Sequence, residues 1–237
     1  NQSGMQASQE HENPQGCINQ WGFASEDAVD SADYLQRMGL HKQIVNRVLE
    51  PFQMMKTIVT ATEMDNFYWL RCHADAQPEI RVLAEKMYEA DKAQKAQELQ
   101  PGQWHLPYVE TYVCPEYGNE SYYLFDEDQT ELSLSEALKI SASCCAQVSY
   151  RKNDDSLEKA LKIWDMLVSM TPVHASPFEH QATPIQVEVA LTGLWEEGVT
   201  HVDRDGKHWS GNFKEWIQHR QLIENHVCNS YKEGGEV

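Results

Sequence analysis

The stretch Ser133-Leu134-Ser135-Glu136 constrains this chain more tightly than any other four residues. A serine hydroxyl at a helix N-cap accepts from the amide three residues on, and a glutamate at that third position reaches back to the serine amide. Two otherwise orphaned donors are satisfied together, so the chain must start a helix here. The predicted helix runs through Ala142, Ala146 and Val148. A second amphipathic helix is predicted over 156–170, with Leu157, Leu161, Trp164 and Leu167 on its apolar face. Pro172 stops it.

The remaining segments are read from their spacing and punctuation. Residues 1–24 form a polar arm, because the opening stretch is rich in Gln and Asn and lacks periodicity. From Ser25 to Phe52 the pattern is helical, with Leu35, Met38, Ile44, Val45, Val48 and Leu49 on apolar faces, a break at Gly39 and a stop at Pro51. "TIVTAT", 57–62, is short and β-branched and is expected to be extended or bent. A helical segment holds Asn66, Phe67, Trp69, Leu70 and Arg71, and Asp75 is the expected N-cap of a helix reaching about Glu98.

Residues 101–132 read as a long aromatic-rich connection, with strand-like alternation expected at Ile185, Val187 and Val189. A loop at Gly206, Gly211 and Asn212 precedes a last helix near Phe213–Glu224, and 226–237 is a tail. No repeat is present. The expected class is α+β, mostly helical, in a single domain over 1–237.

Charge and cysteine usage narrow the partners. A formal net charge of −18 argues against a nucleic-acid polymer, whose phosphates need a basic surface. It leaves room for a small phosphorylated ligand, because screening lets two or three local arginines outweigh distant carboxylates. The six cysteines include no C-x-x-C, and adjacent Cys144 and Cys145 suit a helix face, so free thiols in a reducing cytoplasm are expected. No apolar run is long enough for a membrane helix.

Three stretches carry groups able to do chemistry. "LHKQIVNRVLEPF" places Arg47 after an apolar run, and "TATEMDNFYWLRCHADAQPEI" sets Asn66, Arg71, His73 and Asp75 beside three aromatic residues. "HASPFEH", 174–180, offers two histidines and a glutamate. Pro177 breaks the i, i+4 arrangement of helical zinc ligands, which counts against a metal site. Glu179 with a histidine suits acid–base work, and Cys72 beside Arg71 has the makings of an activated thiolate; packed and capped roles compete with both.

Taken together, four blocks resemble the flavin-dependent thymidylate synthases, particularly the bacteriophage-type members. "NFYWLRCHADAQPEI" resembles that family's N-F-x-x-L-R…A-Q-x-E-I block, "CAQVSY" its A-R-V-S-[YF] block, "HASPFEH" its H-x-[ST]-P-F-E-H block, and "NRVLEP" its A-R-x-x-L-P element. The likeness covers roughly residues 30–90 and 133–225. Two departures stand out. The blocks follow a circularly permuted order, which costs little when termini lie together at a surface. The family's R-H-R-x-x-S-x-N-E-x-S-x-R signature is absent, and "WIQHRQLIEN" keeps only His219, Arg220 and Asn225 of a look-alike. The missing signature is expected in a segment upstream of Asn1.

The resemblance implies a mixed sheet flanked by helices and a homotetramer whose sites are shared between subunits. It implies methylation of dUMP to dTMP with methylenetetrahydrofolate, FAD and NADPH, without a protein nucleophile. Residues 25–100 would then supply nucleotide-binding helices and 133–225 the flavin-pocket half. Arg71 matches the arginine assigned to binding the nucleotide and stabilising the ionised pyrimidine, and Arg47 a second nucleotide-binding arginine. Asn66, Leu70, Ser149, His174, Ser176, Glu179, His219 and Arg220 match or stand in for positions at the flavin. Gln147 stands where the family usually has arginine. An inactive homologue or interaction subunit, and a metal-dependent hydrolase using His73, Asp75, His174 and His180, are the competing expectations.

Overall fold

Asn13 caps the first helix of a computed structural model that describes residues 10–114, 116–124, 129–149, 153–186 and 194–230. Its side chain accepts from the Gly16 amide at 2.9 Å, and Pro14 follows at the first helical position, where a missing N–H costs nothing. Helix α1 (Pro14–Arg37) therefore begins inside the stretch expected to be an arm. Gly39, at φ +85°, then turns the chain, as its lack of a Cβ permits. A short α2 (Lys42–Val45) and two 3₁₀ turns, Asn46–Val48 and Glu50–Phe52, follow as the Pro51 stop predicts.

The chain divides into two compact units. The first comprises Asn1–Lys56 and Phe67–Ala93. It carries α1, α2, most of α3 (Asp65–Arg71), and α4 (Pro78–Ala93). Asp75 lies outside the turn that opens α4, so it is not the N-cap; its amide donates to His73 Nδ1 at 3.2 Å. Helix α4 ends at Ala93, short of Glu98. Among the described residues of this unit the buried ones are Ala28, Ala32, Val45, Ala76 and Ala84, while Ile18, Trp21, Phe23, Trp69, Val82 and Leu83 are exposed.

The second unit, Thr57–Asn66 with Gln94–Val237, holds the larger core. Here the connection expected over 101–132 instead folds into an antiparallel sheet of β1 (Glu110–Val113), β2 (Glu120–Tyr123) and β3 (Glu131–Leu132). Helix α5 (Leu134–Ala146) starts with the predicted capping box, both reciprocal bonds being present, and α6 (Leu157–Ser169) is capped by Ser156. One side of α5 packs Ala137, Ile140 and Cys144 with Trp104, Leu106 and Tyr122; Ala142 meets Ile163, Leu167 and Phe178 of a second cluster. The helix is buried on two faces. That is why its buried positions include serines and cysteines as well as aliphatic residues.

The other sheets are small. Strand β4 (Ala182–Pro184) pairs with β8 (Trp216–Gln218), and β5 (His201–Val202), β6 (His208–Ser210) and β7 (Phe213–Lys214) form a third sheet. Every strand pairing among the described residues is antiparallel, which corrects the expected mixed sheet while keeping the α+β class. The helix expected over 213–224 is replaced by β7, β8 and a 3₁₀ turn, His219–Leu222. Gly211, at φ +60°, makes the turn that folds β7 back on β6. Ile185 donates its amide to Glu215 O, while Val187 and Val189 lie outside the described residues.

Two substitutions measure these contributions. Phe178 is fully buried, so Phe178→Ala should lower the unfolding free energy by about 3–5 kcal/mol in urea titration. Ser133→Ala removes only the α5 cap and should cost about 1 kcal/mol by the same measurement.

Candidate functional site

The antiparallel β4–β8 ladder sets Ala182 opposite Gln218. The residues just before β4 and just after β8 must therefore meet at one end of the ladder. Just before β4 lies the 3₁₀ turn Ser176–Glu179; just after β8 lies His219–Leu222. The His219 amide donates to Gln181 O at 2.9 Å, and Arg220 forms an ion pair with Glu179. Residues 41 positions apart thus become partners, joining the "HASPFEH" and "QHRQ" stretches. Both side chains of the pair remain about one-third exposed, which leaves the pair open to solvent and ligand.

His219 is held differently. It is 5% exposed, stacked on Trp164 and edge-on to Trp104 and Phe178. Its Nδ1 lies 3.3 Å from Gln181 Oε1. A carboxamide oxygen only accepts, so Nδ1 carries the proton. Gln181 is itself fully buried, its Nε2 donating to Ser141 Oγ at 3.1 Å and Pro177 O at 3.2 Å. Burial lowers the His219 pKa to about 4, leaving a neutral imidazole that is sealed from any ligand.

The other carried-over residues of this unit are more accessible. Ser149, His174 and Ser176 are exposed, with the His174 amide donating to Leu167 O at 3.1 Å. Gln147 is buried, and its carboxamide donates to Ser143 Oγ at 3.1 Å and Asp154 O at 3.0 Å. It ties the end of α5 to the following loop and is spent on that task. Desolvation pushes the Cys144 and Cys145 thiols up to about 12, so neither is a nucleophile.

In the first unit, Leu70 and Arg71 line a hollow of about 350 Å³ with Trp69, His73, Asp75 and Ala76. Arg71 is an exposed cation at the last turn of α3, where the helix's negative end favours it. Asn66 is exposed in the first turn of that helix. Arg47, exposed in its 3₁₀ turn, does not line the hollow, so the structure does not gather the two arginines into one pocket. Among the described residues no group of three or more His, Cys, Asp or Glu converges to hold a metal ion. His180 Nδ1 lies 3.1 Å from Thr60 Oγ1.

Sequence reasoning missed Gln181, His105 and the packing role of Gln147. Gln181 and Gln218 are ordinary polar residues in the sequence, and only the fold shows that they are buried. No protein family, curated protein or solved structure matches this chain.

The buried imidazole gives a pH signature. His219 holds a folded-state pKa of about 4 against an ordinary 6.5, so between these values the unfolded chain binds a proton that the folded chain refuses. Its contribution is complete above pH 6.5 and is lost as pH falls towards 4, by about 3 kcal/mol. His219→Gln keeps a donor for Gln181 without a titrating ring. The difference in urea-unfolding free energy between pH 7 and 4 should be about 3 kcal/mol smaller in this variant; equal pH slopes would remove His219 from the account.

Proposed function

We propose that the chain is a flavin-dependent thymidylate synthase subunit that takes part in methylating dUMP to dTMP with methylenetetrahydrofolate, FAD and NADPH. The observation that carries the reading is the junction of Ser176, Glu179 and Arg220 at the paired ends of β4 and β8. It unites two stretches that the motif resemblance assigns to one pocket. The reading also draws on Arg71, whose exposed guanidinium in an aromatic-edged hollow suits an anionic pyrimidine nucleotide.

The donor set does not fit a flavin within one chain. Ser149, His174, Ser176, Glu179, His219 and Arg220 line neither the Arg71 hollow nor the larger cavity of the second unit. His219 is sealed and Arg220 is engaged by Glu179. Ser149, His174 and Ser176 offer exposed hydrogen-bonding groups, which suits a site completed by other subunits. The chain's own contribution to catalysis is then electrostatic. Arg71 binds the nucleotide and holds negative charge that develops on the pyrimidine at N3 and its oxygens.

Assembly is part of the same reading. Helices α1 and α4 bury alanines and leave Trp21, Phe23, Val82 and Leu83 outside, apolar side chains suited to covering by other copies. A homotetramer is expected in light scattering of the protein, and a 27.3 kDa monomer at all concentrations would oppose it. A second reading, an interaction subunit that retains the fold without the chemistry, is favoured by the sealed His219 and the committed Arg220. A flavin absorbance band on the purified full-length protein separates the two.

Arg71→Lys tests the catalytic assignment. Lysine keeps one charge and loses the planar fork that addresses a carbonyl and N3 together. Tritium release from labelled dUMP by the full-length protein should fall on the order of 10²–10³-fold, with flavin binding retained. Unchanged release would take Arg71 out of the site.

A further inference from the structure

Residues 57–63 belong to the second unit and lie outside every described helix and strand. Ile58, Thr60 and Thr62 are half-buried, while Thr57, Val59, Ala61 and Glu63 are exposed. That alternation is what an extended chain shows when one side rests on a surface. Yet among the described residues none of its amides or carbonyls bonds to another backbone group. Three contacts made by its side chains attach it instead. Thr60 Oγ1 lies 3.1 Å from His180 Nδ1, the Lys214 amide donates to Thr62 Oγ1 at 3.0 Å, and Lys214 Nζ pairs with Glu63 Oε1 at 2.7 Å.

The same stretch walls a cavity of about 470 Å³ within the second unit, through Thr60, Ala61 and Thr62. Trp104 and His105 reach the cavity from just before β1, and among the described residues its lining contains no Lys, Arg, Asp or Glu. Other walls are held far more firmly. Thr111, Ala182, Phe213 and Trp216 stand on hydrogen-bonded strands, and His105 exchanges two backbone bonds with Ala182, at 2.8 Å and 3.2 Å. Moving those walls breaks a ladder. Moving 57–63 breaks two hydrogen bonds, each worth about two- to tenfold in an equilibrium, and one partly exposed ion pair worth less. Segments with so few contacts open locally while the rest stays folded.

We infer that residues 57–63 are a strap that opens and closes over this cavity, latched by Thr60 on His180 and by Thr62 and Glu63 on Lys214. Lys214 suits the role because its amide is positioned by the pairing of β7 with β6, while its long side chain reaches out to Glu63. The side chains of that pair are 27% and 57% exposed, so salt screens it and favours opening. Opening removes one wall and lets a solute in or out; closing restores it. The inference rests on the strap and its cavity and is independent of the methylation reading.

The test places a thiol on a firm wall of the cavity by Ala182→Cys, at a position only 3% exposed. Its labelling by N-ethylmaleimide is followed by peptide mass mapping, with the exposed Cys17 as the internal reference. In the latched protein the new thiol should label at least tenfold more slowly than Cys17. Glu63→Lys, on the exposed side of the strap, turns attraction into repulsion and should speed labelling about two- to fivefold; adding Lys214→Glu should restore the slow rate. Thr60→Val with Thr62→Val removes both hydroxyls at nearly constant shape and should speed it about five- to a hundredfold. Labelling of the latched protein as fast as Cys17, or a rate unmoved by both Glu63→Lys and the two valines, would overturn the strap. Should the valine pair fail to fold by circular dichroism, Glu63→Lys and its charge-swapped partner decide the matter.

Discussion

Burying a carboxamide and an imidazole together is costly unless each finds its partner, and the second unit is arranged around meeting that condition. Gln181 and His219 satisfy one another through side chains at 3.3 Å and through backbone at 2.9 Å. The same Gln181 fastens α5 through Ser141 and the Ser176–Glu179 turn through Pro177 O. Removing any one of these partners leaves a buried donor or acceptor exposed to an apolar cage of Trp104, Trp164 and Phe178. The network therefore specifies a single register for β4 on β8. From that register follow the positions of Glu179 and Arg220.

Charge is distributed by the same logic. The pairs Lys86–Glu89 and Lys162–Glu158 lie on exposed helix faces at 2.7 Å and 2.6 Å, where each contributes little. The Glu179–Arg220 pair sits at the junction of two chain segments and fixes their approach. The neutral interior of the aromatic cavity, with no charged lining residue among those described, is the complement of that arrangement. Burial holds the imidazoles of His219 and His105 towards the neutral form.

Local signals were read correctly where one residue's hydrogen bond decides the outcome. Ser133, Glu136, Ser156, Gly39 and Pro51 all act within a turn of their own position, and the structure uses each as its chemistry demands. Asn13 and Pro14 carried the same kind of signal, but the polar composition of their surroundings masked the start of α1. Phe213, Trp216 and Ile217 fit helical spacing as well as strand pairing, and only the distant β4 and the turn at Gly211 decide between them. For the same reason the sequence named Glu179 and Arg220 separately without showing them as a pair. Nothing local distinguishes a buried His219 from an exposed one. Arg47 and Arg71 were grouped by motif, and the hollow at Arg71 forms without Arg47.

The first unit obeys a different balance. Over the 24 residues of α1 only Ala28 and Ala32 are buried, and in α4 only Ala84. Alanine contacts remove little apolar area, so the hydrophobic contribution from burial inside this unit is small. A helix of this length gains some stability from its own ladder and cap, but most helices in folded proteins depend on packing an apolar face. Here Trp21 and Phe23 stand at about 60% exposure, two residues apart and so on different sides of the helix, and the edge-on contact of Trp21 with Phe52 covers only part of one ring. Any surface that covered these rings would be coupled to the folding of the helices by mass action.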